Sequence, residues 1–177
     1  MTRTLTAMAL CALFFSSGAR AQDDGRFLFT AGTTYTSTSG VEWAYLNWQA
    51  TDYTLFDGRY FAVYAKSGAP AAGGAFSRLG IASLQTDPQL IQALISRGEQ
   101  LGDPAADLMA DVDALYSGLD LDPSISDGEK IMHIITSSLG DEDAYSSLIL
   151  LARKHPAIAM ALGHGFATRI NASGYTT

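Results

Sequence analysis

The chain has 177 residues and a formal net charge of −7, with 11 basic and 18 acidic residues. This length suits one domain of ordinary size and is too short for two well-cored domains. Hydrophobic residues make up 47% and charged residues 16%, so the chain can bury enough apolar surface to fold, which excludes wholesale disorder. The net negative charge repels the phosphate backbone of nucleic acids, so a nucleic acid is not expected as a partner.

The first 21 residues have the pattern of a secretory signal peptide. Arg3 supplies a positive start, and residues 5–15 are apolar apart from one threonine, a run too short to span a bilayer as a helix. Ala19 and Ala21 then give the A-x-A arrangement that signal peptidase requires. We therefore predict cleavage after Ala21 and export to the periplasm, the cell surface or the medium. No transmembrane anchor is expected in the mature protein.

The single cysteine, Cys11, lies in this leader. Export to an oxidising compartment permits disulfides, but the mature chain has no cysteine with which to form one. Its stability must therefore come from its core. Cysteine nucleophiles and redox chemistry are excluded for the same reason.

Residues 22–85 form a predicted β-rich region. Residues 41–48 and 60–66 are rich in β-branched and aromatic side chains, and an Asp57-Gly58 turn signal precedes the second run. Weaker strand patterns occupy residues 26–29, 33–39 and 76–84. These runs predict an antiparallel sheet in the N-terminal half.

Both faces of the predicted strand at residues 41–48 are apolar. Because side chains alternate along a strand, Trp43 and Trp48 should point to opposite faces. We expect Trp48 to be the buried centre of the sheet and Trp43 to lie under a layer of helices. The alternative is an exposed aromatic platform for a sugar or peptide, whose ligand-binding residues would be Trp43, Tyr45, Tyr60 and Tyr64.

Residues 46–48 and 60–64 carry a resemblance to a known module family. They read Leu-Asn-Trp and Tyr-Phe-Ala-Val-Tyr. Together they resemble the second and third strands of a fibronectin type III sandwich, in which a buried Trp faces an alternating aromatic and β-branched strand. The resemblance covers Val41 to Lys66. More loosely, the chain resembles the N-terminal part of large secreted bacterial proteins that carry such modules. The resemblance implies extracellular scaffolding or adhesion and no catalytic residues.

Residues 86–163 change to a helical period and predict four or five short helices. Asp87-Pro88 and Asp103-Pro104 each place an N-cap Asp before a Pro at the first helical position. We therefore expect the first two helices to begin at these dipeptides. Gly102 is expected to end the first of them.

The later helices have their own start signals. Ser126 and Glu129 have the spacing of a capping box, a fourth helix is expected after Asp141, and Pro156 can begin a short fifth. Residues 164–177 predict one strand and a polar tail. That strand either pairs back onto the N-terminal sheet or belongs to the front part of something longer.

These patterns predict an α+β protein, with an N-terminal antiparallel and partly sandwich-like sheet followed by four to five short α-helices. The predicted regions are the leader (1–21), the β-rich region (22–85), the helical region (86–163) and the possible strand with its tail (164–177).

Motifs for catalysis or metal binding do not appear in the sequence. The three histidines never form H-E-x-x-H, and His155 and His164 are expected at a helix end or in a loop. Asp120, Asp122 and Ser124 match the first three ligand positions of an EF-hand calcium loop. The loop also requires Gly at its sixth position and Glu at its twelfth, and isoleucine occupies both. We therefore predict no catalytic residue, no metal and no cofactor.

The leading functional prediction is an exported, non-enzymatic structural or interaction module that forms the front part of a larger surface or secreted protein. Its partner would be a protein or a glycan. The alternative is a small carbohydrate-binding or hydrolase domain that uses the aromatic face of the sheet.

Overall fold

The computed structural model describes residues 27–37, 40–50, 60–65, 75–116, 122 and 124–170. The elements of this part are β1 (Phe27–Thr36), β2 (Glu42–Ala50), β3 (Tyr60–Ala65), β4 (Ser77–Ser83), α1 (Pro88–Gln100), α2 (Ala105–Leu115), α3 (Asp127–Ser138), α4 (Glu142–Lys154), α5 (Pro156–Ala161) and β5 (Gly165–Arg169). All three strand pairings are antiparallel, so the predicted α+β class is confirmed. The predicted leader, the Asp57-Gly58 turn and the polar tail from residue 171 lie outside the described residues.

The described strands form two sheets, one of order β1-β2-β5 and one of β3-β4. β5 pairs antiparallel with β2, with Gly165 opposite Asn47 and Arg169 opposite Trp43. The strand after the last helix therefore pairs back onto the N-terminal sheet, which was one of the two predicted outcomes. The two runs that carry the fibronectin-like resemblance, β2 and β3, lie in different sheets.

One face of the β1-β2-β5 sheet packs against the β3-β4 sheet. The ring of Trp48, which is 2% exposed, lies 5.3 Å from the ring of Phe61 on β3. Phe166 on β5 lies so close to Gly80 on β4 that a Cβ at position 80 would be 2.7 Å from its ring. A side chain at Gly80 would therefore push the two sheets apart.

The other face of the same sheet lies under the helices. Trp43 is 1% exposed, and the guanidinium of Arg97 on α1 lies 4.2 Å from the centre of its ring. Tyr45 is also buried, next to Gly165 at the start of β5. The predicted opposition of Trp43 and Trp48 is confirmed, and helices cover the second apolar face.

Three helices begin at the predicted residues, and each has a side-chain cap. The Asp87 side chain accepts a hydrogen bond from the Gln89 amide at 2.8 Å, and the Asp141 side chain accepts one from the Ala144 amide at 3.0 Å. Ser126 forms the complete capping box that begins α3. Each of these caps satisfies a backbone donor that has no partner inside its helix.

The prediction that Asp103 caps α2 is wrong. Pro104 occupies the N-cap position of α2, and no side chain caps this helix. The carboxylate of Asp103 instead contacts His155, 52 residues further along the chain. The ring of His155 therefore takes the carboxylate oxygens that a helix cap at this position would have used.

Helix α5 is the centre of the helical layer, where it contacts α1, α4 and the two strands β4 and β5. Its residues from Ala157 to Ala161 are all buried. α1 also crosses α3, where a Cβ at Gly128 would lie 2.3 Å from the Pro88 carbonyl oxygen, so only glycine fits. In the described part of the chain, no helix is long and apolar enough to cross a membrane.

Candidate functional site

The four aromatic residues predicted to bind a ligand are divided between the two sheets. Trp43 and Tyr45 lie on β2 beneath the helices and are 1% and 5% exposed. Tyr60 and Tyr64 lie on β3, where Tyr60 is 42% exposed and Tyr64 is half-buried. The structure brings them together in two pairs and not as one platform. Ligand binding by these residues stays a prediction.

The β3-β4 sheet presents an exposed apolar surface, here called the outer face. Tyr64 on β3 is the cross-strand partner of Arg78 on β4, and Ile81 on β4 is the partner of the buried Ala62. The residues that define the outer face are Tyr60, Tyr64, Phe76, Arg78 and Ile81. Tyr60, Phe76 and Ile81 are each between 42% and 46% exposed. Large apolar side chains exposed on one face of a sheet are candidates for an interaction site on a soluble protein.

His155, at the joint between α4 and α5, is the centre of a hydrogen-bonded cluster with two aspartates. Its ring is fully buried, with Nδ1 2.9 Å from a carboxylate oxygen of Asp103 and Nε2 2.9 Å from one of Asp111. Lys154 forms a further ion pair with Asp111. Burial raises the pKa of Asp103 above its ordinary value, whereas the hydrogen bonds from Lys154 and His155 lower the pKa of Asp111.

This geometry uses both ring nitrogens of His155. Each nitrogen lies within hydrogen-bond distance of a carboxylate oxygen, so neither is left for a substrate or a metal. The cluster joins the connection between α1 and α2, the middle of α2 and the joint between α4 and α5. Its chemistry is therefore that of a clamp between helices.

His164 is the second buried histidine, directly after α5. Its Nε2 lies 3.2 Å from the hydroxyl of Tyr145, and its backbone carbonyl accepts a hydrogen bond from the Trp48 amide at 2.9 Å. Burial lowers the pKa of His164 from 6.5 to about 4. Burial also raises the pKa of Tyr145. Both side chains are therefore neutral at physiological pH.

A polar cleft of about 310 Å³ lies where the first sheet meets α1. Arg97 and Arg169 both lie over the Trp43 ring, with guanidinium carbons 4.2 Å and 5.2 Å from its centre. Burial and the neighbouring charge of Arg169 lower the pKa of Arg97. The lining residues are Ser37, Val41, Trp43, Ser96, Glu99, Gln100 and Arg169.

Metal binding has no support in the described ranges, which contain no group of three or more His, Cys, Asp or Glu residues able to hold an ion. Of the residues that imitate an EF-hand, Asp122 accepts hydrogen bonds from the Ser124 amide and hydroxyl at 2.8 Å and 2.7 Å. Asp120 lies outside the described residues. The Asp122 side chain therefore closes a local turn.

Comparisons with family models, with curated proteins and with solved structures give no match. Any function for this chain must therefore be argued from the geometry of its own residues.

Sequence reasoning missed the clamp and the arginine pair because their members are distant in the chain. Asp111 and His155 are 44 residues apart, and Asp111 resembles any solvated acidic residue of a helix. Arg169 lies over Trp43, as Arg97 does, only because β5 returns to β2. The available sequence signal was the position of two histidines near predicted helix ends. A histidine that such a position buries needs a polar partner.

Proposed function

We propose that the protein is an exported, non-enzymatic interaction module that binds a protein partner through the outer face. The exposure of Tyr60, Phe76 and Ile81 on that face carries the proposal. Both faces of β2, the central strand of the other sheet, are largely buried, whereas β3 and β4 keep apolar side chains exposed to a partner.

The side chains of the outer face indicate the chemistry of the partner. Tyr, Phe and Arg are enriched at the centres of protein interfaces, and Tyr and Arg are frequent hot-spot residues. Strands β3 and β4 contain no acidic residue, and Arg78 gives the face a positive charge. A partner surface with an apolar centre and an acidic edge is complementary to it.

The two buried histidines support a role without catalysis. The ring nitrogens of His155 are both occupied by carboxylates, and His164 is buried against Tyr145. A general base needs an accessible nitrogen within hydrogen-bond reach of a substrate. Both rings instead hold elements together.

The sequence supports action outside the cytoplasm. The predicted leader directs export, and the fibronectin-like resemblance of Val41 to Lys66 is to modules that serve extracellular scaffolding and adhesion. N-terminal sequencing of the protein recovered outside the cytoplasm tests this part. We expect the first residue to be Gln22, and recovery with Met1 retained would refute the leader.

Photo-crosslinking in the producing cells tests the protein-binding part. A photoreactive phenylalanine analogue placed at Ile81 should give one dominant protein adduct that mass spectrometry identifies. The matched control places the same analogue at Leu150 on α4, which is 60% exposed. Arg78→Glu should abolish the Ile81 adduct because it removes the complementary charge, and Arg153→Glu on α4 should leave it unchanged.

Two results would overturn this assignment. The same adduct from Leu150 as from Ile81 would show unspecific collision and not docking on the outer face. Binding to a glycan array that depends on Tyr60 would instead establish the carbohydrate-binding alternative. Purified protein is sufficient for the array, so both functions can be compared on one preparation.

A further inference from the structure

The polar cleft between the first sheet and α1 contains side chains of both charges. Helix α1 lines it with Ser96, Glu99 and Gln100, which are three and four residues apart and therefore share one face of the helix. Strands β2 and β5 line it with Trp43 and Arg169. The carboxylate and the guanidinium of the cleft therefore come from different elements of the fold.

Neither charged side chain of the cleft has an ion-pair partner in the part of the chain that the structure describes. The ion pairs of that part join two lysines and His155 to aspartates, and none of them includes Glu99 or Arg169. The guanidinium of Arg169 lies 5.2 Å from the centre of the Trp43 ring, and an aromatic face attracts a cation without neutralising it. Glu99 and Arg169 are both exposed, so a ligand in the cleft can reach them.

The position of Glu99 favours a positively charged ligand group. Glu99 lies in the last turn of α1, where the helix dipole places partial negative charge and an acidic side chain is unfavourable. A cation beside Glu99 is attracted both by the carboxylate and by this end of the helix. Arg97 belongs to the same turn but lies over Trp43 and does not line the cleft. An ammonium group suits this side of the cleft.

The position of Arg169 favours a carboxylate. A guanidinium binds a carboxylate through two parallel hydrogen bonds. Trp43 is 1% exposed, so it positions Arg169 and offers almost no surface on which a ligand could stack. The cleft volume of about 310 Å³ is near the lower limit for ligand pockets and therefore suits a small molecule.

We infer that this cleft binds a small zwitterion of the α-amino acid class, with its carboxylate on Arg169 and its ammonium group on Glu99. One molecule with both charges pairs both residues, whereas a simple anion or cation leaves one of them unpaired. A polar ligand side chain can form hydrogen bonds with the Ser96 hydroxyl and the Gln100 amide. None of these residues belongs to the outer face, so failure of this site would leave the protein-binding proposal intact.

Isothermal titration calorimetry of the purified protein tests the inference with three related probes. L-glutamine should bind, because it has both charges and an amide side chain. N-acetyl-L-glutamine lacks the ammonium group and L-glutaminamide lacks the carboxylate, so each should bind at least roughly 10-fold more weakly. The affinity for L-glutamine should fall as salt is added, since screening weakens both ion pairs.

Substitutions locate the site. Glu99→Gln and Arg169→Gln should each weaken L-glutamine binding roughly 10-fold or more, because each removes one charged hydrogen-bond partner. Arg78→Gln on β4 and Glu142→Gln on α4 remove the same charges elsewhere and should leave the affinity unchanged. Gln100→Ala should weaken binding roughly 2- to 10-fold, and this exposed position keeps the test valid if a charge variant does not fold.

Several results would overturn the inference. Equal affinities for L-glutamine and N-acetyl-L-glutamine would show that Glu99 does not select an ammonium group. Equal affinities for L-glutamine and L-glutaminamide would show the same of Arg169 and the carboxylate. Unchanged L-glutamine affinity in folded Glu99→Gln and Arg169→Gln, or no L-glutamine binding at all, would remove the site.

Discussion

The strongest prediction concerns the loss of stability in mild acid caused by His164. Its pKa is lowered to about 4 in the folded protein because burial disfavours the imidazolium form. In the unfolded chain the same group has a pKa of about 6.5. Between these two values the unfolded chain binds a proton that the folded protein does not bind. The free energy of unfolding must therefore fall as the pH falls through this window.

The size of the effect follows from the two pKa values. Each unit of difference corresponds to about 1.4 kcal/mol, so the full contribution of His164 is about 3 kcal/mol. Between about pH 7 and about pH 4.5 the expected loss is about 2.5 kcal/mol. That is a large share of the roughly 5 to 15 kcal/mol that stabilises a typical domain.

Urea denaturation of the wild type and of His164→Gln across this pH range measures the effect. The variant has no titrating ring at this position, so its stability should depend less on pH by about 2.5 kcal/mol over the same interval. The free energy of unfolding should fall with urea concentration at the same slope in both proteins, as expected when unfolding remains two-state. His133→Gln on α3 is the matched control, because its imidazole is exposed in the folded protein.

Parallel pH profiles for the wild type and His164→Gln would refute this reasoning. They would mean that the imidazole of His164 binds a proton equally well in the folded and unfolded states, so that its burial has no electrostatic cost. A flatter profile in His133→Gln, with none in His164→Gln, would show that the acid sensitivity comes from His133 and not from His164.

Three further predictions address the core and the absence of a metal. Trp48→Ala and Trp43→Ala should each lower the free energy of unfolding by roughly 3 to 5 kcal/mol, measured in urea, because both rings are buried; two unchanged curves would contradict the placement of β2. Asp103→Asn should cost about 1.5 to 3 kcal/mol by weakening the clamp on His155, and wild-type stability would contradict its role. Thermal melts with and without EDTA should superpose, and a shift of several degrees would reveal a bound metal.

Local signals predicted the helices well. The caps at Asp87, Ser126 and Asp141 each bond to an amide two or three residues away, so one short segment of sequence contains both partners. Asp103 has the same Asp-Pro pattern as Asp87 and nevertheless has a different partner. The partner of Asp103 is His155, which lies 52 residues away and cannot be found from the local sequence.

Strand alternation predicted which faces are buried but not which strands pair. The odd spacing of Trp43 and Trp48 was sufficient to place them on opposite faces. The division into two sheets depends on contacts such as Phe166 against Gly80, which join segments far apart in the chain. The cleft beside Trp43 could not be predicted for the same reason, because its lining residues come from β2, α1 and β5.

The return of β5 to β2 also sets an order of events during folding. β2 finds its first neighbour, β1, among the residues just before it, but its second neighbour begins at Gly165, after all five helices. Closing so long a loop is slow, and strand pairs distant in sequence delay the folding of a domain. The first sheet therefore stays incomplete until nearly all of the described chain has emerged from the ribosome. A late-closing sheet of this kind keeps the chain open for longer, which is compatible with the export that we propose, because an exported chain passes unfolded through a channel.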